Sequence, residues 1–88
     1  MTRRYQVAIA RRAVKALAAL PKPEQQRVRA AIDLLAVDPR PPSCTKLTGE
    51  AGAYRVRIGA YRIVYEAVDE RLVVQVVRIG HRRDVHRH

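Results

Sequence analysis

From Tyr54 to Val68 the chain reads YRVRIGAYRIVYEAV, and apolar and basic residues alternate with a period of two on either side of Gly59-Ala60. Such alternation around a two-residue turn predicts a β-hairpin. With Ile58 and Tyr61 as the closing pair, Arg57 faces Arg62 and Val56 faces Ile63, because each step away from the turn pairs the next two residues. One face then carries Tyr54, Val56, Ile58, Tyr61, Ile63 and Tyr65. The other carries Arg55, Arg57 and Arg62, with Val64 and Glu66 further along. Two guanidinium groups about 5 Å apart across a strand pair repel by about 1–3 kcal/mol. Selection for stability alone avoids that pairing. An anion between the arginines accounts for it, and a phosphate accepting paired hydrogen bonds from each is the natural candidate.

The remaining elements follow from changes of period. Tyr5, Val7 and Ile9 alternate with Gln6 and Ala8, which predicts a short strand. From Ala10 to Leu20 the spacing becomes helical, with Ala10, Ala13, Val14, Leu17 and Leu20 on one stripe and Arg11, Arg12 and Lys15 away from it. Pro21 ends this helix. A second helix opens at Pro23 with Glu24 near its positive end, buries Val28, Ala31, Ile32 and Leu35, and closes at Asp38-Pro39. The short link at Pro21-Lys22 predicts an antiparallel helical hairpin. Pro39 to Thr45 reads as loop, Lys46-Leu47 as a brief extended piece, and Gly49 to Gly52 as a turn into the hairpin. Asp69-Glu70 predicts a second tight turn, and Arg71 to Ile79 a valine-rich strand. That register returns Leu72, Val74 and Val76 to the apolar face and sets Val73, Gln75, Val77 and Ile79 on the arginine face. Gly80 releases the chain into HRRDVHRH. The expected fold is α+β: one strand, two helices, then a meander of about three strands, in a single domain over residues 1–88.

Charge narrows the partners. The chain has 88 residues, 18 Lys+Arg against 8 Asp+Glu, and a formal net charge of +10. Nearly all the excess is arginine, which suits planar recognition of phosphate, so a polyanion is expected, nucleic acid before an acidic protein. A domain of this size buries only about 60–65% of its unfolded surface, leaving no room for a second domain. Cys44 is the single cysteine, so there is no disulfide framework and a reducing compartment is expected. The basic first 23 residues read as folded protein and not as a targeting peptide, since Arg11, Arg12 and Lys15 interrupt every apolar run.

The histidines and the cysteine have no metal-ligand spacing, and there is no Gly-rich phosphate loop, nucleophilic triad or carboxylate pair. Fixed positive charge with histidine nearby remains. It suits phosphoryl transfer at an RNA phosphodiester, where the 2′-hydroxyl is the internal nucleophile and the protein aligns it and stabilises the developing charge. The base must lose a proton near neutrality, which histidine does and arginine does not, so His86 and His81 are its candidates.

The stretch KLTGEAGAYRVRIGAYRIVYEAVDERLVVQVVRIGHRRDVHR, together with the strand-helix-helix ahead of it, resembles the RelE toxins of bacterial toxin-antitoxin pairs over nearly the whole chain. The resemblance implies a helical hairpin packed on a mainly antiparallel sheet, and a cytoplasmic endoribonuclease that cuts messenger RNA in the ribosomal A site. It implies a RelB-like antitoxin as partner, contact with operator DNA only through that antitoxin, no cofactor and no membrane association. The basic positions of the family's active site fall on Arg55, Arg57, Arg62 and Arg82, with His86 where a tyrosine is frequent; Arg83 and His81 join the expected RNA contacts. The best-studied members carry lysines at the positions of Arg55 and Arg57. The alternative is a ParE-like toxin, which shares the fold and inhibits DNA gyrase by binding without chemistry of its own.

Overall fold

A computed structural model describes residues 4–49 and 52–81. The hairpin forms as its alternation requires: β3 (Ala53–Ile58) and β4 (Tyr61–Val68) are antiparallel, with Ile58 opposite Tyr61, Arg57 opposite Arg62 and Val56 opposite Ile63. Gly59 takes φ +60° at the first turn position, the type II′ pattern in which a glycine avoids the Cβ clash of that conformation.

Around it lie β1 (Gln6–Ile9), α1 (Arg11–Ala18), α2 (Lys22–Val37), β2 (Thr45–Lys46) and β5 (Val73–His81). The five strands make one sheet in the order β1-β5-β4-β3-β2, antiparallel throughout except that β1 runs parallel to β5. The expected α+β order therefore holds, with the short β2 as an additional edge strand.

Both helices cover one face. Ala13 of α1 and Val28, Ile32 and Leu35 of α2 pack with Val56, Ile63, Tyr65, Val74, Val76 and Ile79 of the sheet into a single core. An eight-residue helix is marginal alone; α1 is held by this packing and by the Ala10 N–H, which donates to the Val76 carbonyl at 2.9 Å. Its stripe is narrower than the sequence implies, since Val14 is about half exposed and Ala16 packs on the core. Gln25 of α2 donates through Nε2 to the Leu17 carbonyl, fastening the helical hairpin.

Two features of β5 differ from expectation. Val68 pairs with Val73, so the β4–β5 connection spans Asp69 to Leu72 instead of two residues, with Leu72 at φ +53°. A four-residue loop in place of two keeps the parity of Val74 and Val76. Further along, the register shifts between Val64 and Tyr65: Tyr65 pairs with Val76 but Val64 pairs with Arg78, so Val77 is a bulge. Beyond it parity reverses. Ile79, expected on the arginine face, pairs with Ile63 and is buried in the core.

At the other end of the hairpin the chain leaving α2 is clasped to the sheet. The Tyr65 hydroxyl, buried, donates to the Pro39 carbonyl at 2.7 Å, and its ring stacks on Tyr54 at 5.8 Å between centroids. Arg40 lies over the Tyr54 ring, donates through Nε to the Tyr54 hydroxyl at 2.9 Å, and forms a two-pronged pair with Asp69 at 2.9 and 3.1 Å. The Tyr5 hydroxyl donates to the same carboxylate at 2.6 Å. Arg40, then Tyr5, holds the Asp69 carboxyl below its ordinary range, while bonding to Asp69, aided by partial desolvation, raises the Tyr5 phenol.

Tyr65→Phe leaves the Pro39 carbonyl without its donor and should destabilise the fold by about 1–2 kcal/mol in urea melts at pH 7. Because the Asp69 pKa is depressed on folding, its contribution is present above the unfolded value near 4 and is lost as pH falls through the lower folded value. Asp69→Asn should therefore lower Tm at pH 7 and flatten the acid limb of a Tm-against-pH curve. An unchanged acid limb would show that the clasp adds no pH-dependent stability.

Candidate nucleic-acid interface

The face of the sheet away from the helices is a grid of side chains set by strand pairing. One row reads Arg57, Arg62, Gly80 across β3, β4 and β5; the next reads Arg55, Val64, Arg78; a third reads Ala53, Glu66, Gln75. Thr45 of β2 stands beside Arg55 at the edge. Arg55, Arg57 and Arg62 thus share one surface, with the direct Arg57–Arg62 pairing that the alternation demanded.

Arg62 is the unusual member. It is 9% exposed, and its buried Nε meets no hydrogen-bond partner among the described residues. Desolvation first, and then the guanidinium groups of Arg57 and Arg55, lower its pKa. A guanidinium is still charged at pH 7 under such a shift. The consequence is a desolvated cation beside two others with a donor unused, an arrangement that costs folding free energy and fits a bound anion.

Arg78 was missed by the sequence reading. Strict alternation from Val74 and Val76 puts Arg78 under the helices, and that conflict, a charge in the apolar register followed by Ile79 out of it, was the available signal of a bulge. In the structure Arg78 is exposed and paired with Val64 on the arginine face.

His81 falls elsewhere. The strand runs through Gly80 to His81 instead of ending at Ile79, and His81 pairs with Tyr61, whose ring packs toward the core. The two rings meet edge to face at 5.3 Å between centroids. His81 therefore stands on the helix side, opposite Arg57 and Arg62. A cavity of about 420 Å³ on that side lies between the start of α2, with Glu24 and Arg27, and the Gly59-Ala60 turn. Arg82, Arg83 and His86 lie outside the described residues. Among the described residues no cluster of three or more His, Cys, Asp or Glu side chains could hold a metal, and no helix is long and apolar enough to cross a membrane.

Residues 7–86 match the family described as the ParE toxin of the type II toxin-antitoxin system parDE. A putative RelE-like toxin protein of Escherichia coli is 35% identical over 81 residues, covering 90% of this chain and 84% of that protein. The chain belongs to the RelE/ParE superfamily of type II toxins. Among solved structures, the archaeal RelE-RelB complex from Pyrococcus horikoshii is 33% identical with a TM-score of 0.80, covering 93% of this chain and 97% of the other. The toxin-antitoxin complex RelBE2 from Mycobacterium tuberculosis is 30% identical with a TM-score of 0.79, covering 92% and 94%. The intact E. coli RelBE complex is 26% identical with a TM-score of 0.78, covering 88% and 95%. In this superfamily member the arginine grid is carried by the hairpin and β5, both inside the matched region.

Since Arg62 is desolvated and faces like charges, replacing it with an apolar residue of similar length should stabilise the free toxin. Arg62→Met is expected to keep or raise Tm by a few degrees in thermal melts. A large fall in Tm would show that Arg62 instead supports the fold.

Proposed function

We propose that this toxin is an endoribonuclease that cuts messenger RNA in the ribosomal A site and is neutralised by a RelB-like antitoxin. The observation that carries the reading is Arg62: a desolvated guanidinium, directly paired with Arg57 and with an Nε that no described residue engages, is preorganised for a phosphate. In the reaction the RNA 2′-oxygen attacks the adjacent phosphorus as its proton is taken by a base. The 5′-oxygen of the next nucleotide then leaves with a proton, giving a 2′,3′-cyclic phosphate and a 5′-hydroxyl. Negative charge grows on the non-bridging oxygens, and Arg62, with Arg82, is assigned to hold them. Arg55 and Arg57 guide the flanking backbone, with Arg83 as a further contact. His86 is assigned the proton, since no arginine can serve as the base. His81 is left out of the base role, because it stands on the other side of the sheet from the arginine pair.

A RelB-like partner is supported by those structural neighbours that are RelE-RelB complexes. The surface fits such a partner too: the part-exposed Val64, Val73 and Val77 share or border the arginine face, so an acidic amphipathic segment would neutralise charge and cover apolar area together. The match to the ParE family favours a second reading, inhibition of DNA gyrase by binding alone.

Primer extension on messenger RNA during controlled expression separates the two. Discrete cuts within translated codons are expected, and Arg62→Ala should reduce their rate by about 10²–10³-fold, the usual loss for one donor aimed at developing charge. Gyrase-linked DNA breaks with intact RNA would overturn the nuclease in favour of the ParE reading. On ribosome-bound message, His86→Ala should slow cutting by about 10²-fold and remove a pH dependence near 6.5. A parental rate and pH profile would take the proton role away from histidine.

A further inference from the structure

The bulge at Val77 determines where Arg78 goes. Without the shift, Arg78 would follow Val74 and Val76 toward the helices, and Ile79 would face out. With it, Ile79 is 5% exposed in the core and Arg78 stands in the solvent-facing row beside Val64. The irregularity is held in place: Arg12 of α1 donates through Nε to the Val77 carbonyl at 3.3 Å, supplying a partner where the ladder is interrupted.

On the arginine face Val64 is flanked by Arg55 on β3 and Arg78 on β5. Two strand spacings separate their backbones by about 10 Å, and the adjacent row holds Arg57 and Arg62. The third place in that row is Gly80, where even an added Cβ would meet no atom of the described residues within 4 Å. Among the described residues nothing covers the surface beside Arg62, one step along β5 from Arg78. Glu66 lies one row beyond, and no ion pair joins it to Arg78. Arg78 thus adds a cation to a surface already crowded with like charge, with no acid among the described residues bound to it, while the bulge keeps it from the core.

We infer that Arg78 is a phosphate-binding residue of the RNA track, holding a backbone phosphate next to the one at Arg62 across the open floor at Gly80. This rests on the nuclease reading. The track would then span all three central strands, with Arg55 and Arg78 on either side of Val64 and the Arg57–Arg62 pair at the reacting phosphate. Arg78 touches the RNA backbone away from the bond that breaks, so it contributes to binding through charge.

The test is equilibrium binding of the full-length toxin to a 2′-O-methyl RNA oligomer, which carries the backbone charge but no nucleophile. It is measured across a salt series for the parent, Arg78→Ala, Arg78→Lys and Arg71→Ala. Arg71 is an exposed arginine in the β4–β5 loop and controls for net charge. One lost phosphate contact should make the log-log salt slope shallower by about 0.7 for a single strand. That change is expected for Arg78→Ala, with the slope retained in Arg78→Lys and Arg71→Ala. A parental slope in Arg78→Ala, or an equal loss in Arg71→Ala, overturns the assignment of Arg78 and leaves the nuclease reading standing. A flat salt response in the parent overturns RNA binding by this face and the inference with it.

Discussion

The register of the β3–β4 hairpin is the constraint on which the rest of the structure depends. Closing it at Ile58 and Tyr61 sends Val56, Ile63 and Tyr65 under the helices and leaves Arg55, Arg57 and Arg62 together on the other side. A one-residue slip would exchange the two sets, burying three arginines and exposing the centre of the core. The turn protects against that slip because the positive φ at Gly59 suits a glycine and closes the loop at two residues. Core and candidate interface are in this sense one choice, made once.

The two faces work in opposite directions energetically. The helix side gathers the apolar burial of the domain, and the clasp of Arg40, Asp69, Tyr5, Tyr54 and Tyr65 fastens the loop after α2 to the sheet. The arginine side accumulates like charge, with Arg62 desolvated and its Nε unpartnered among the described residues. Arg40 shows the contrast within one residue type: it is paired with a carboxylate, bonded to a phenol and stacked on a ring, as an arginine used for stability is. Membership of the RelE/ParE superfamily gives this division a context: in this type II toxin one face of the sheet is given to the core and the other is left outside it.

The bulge in β5 links the two sides. Val77 absorbs one residue, so Ile79 completes the core against Ile63 while Arg78 joins the basic face. Arg12 reaches from α1 to the Val77 carbonyl, so the helix that covers the core also stabilises the irregularity that shapes the opposite surface. At the end of the same strand His81 pairs with Tyr61 on the helix side, which separates it from the arginines despite its nearness to them in sequence.

The amino-acid sequence by itself determined the hairpin, its facing arginines, the two helices and the α+β order, because each rests on local periodicity and turn chemistry legible within a few residues. It also supplied the family resemblance, carried by the same stretch. Tertiary structure decided what depends on partners distant in the chain. The parallel pairing of β1 with β5 joins residues more than sixty positions apart. The clasp of Tyr5 and Arg40 on Asp69 forms only once three separate segments meet. The four-residue loop and the bulge arise because β5 must match β4, β1 and α1 together. No period within RLVVQVVRIG specifies which residue is skipped. The competition between burying Arg78 and burying Ile79 settles that, and it exists only when the helices are in place to define an inside.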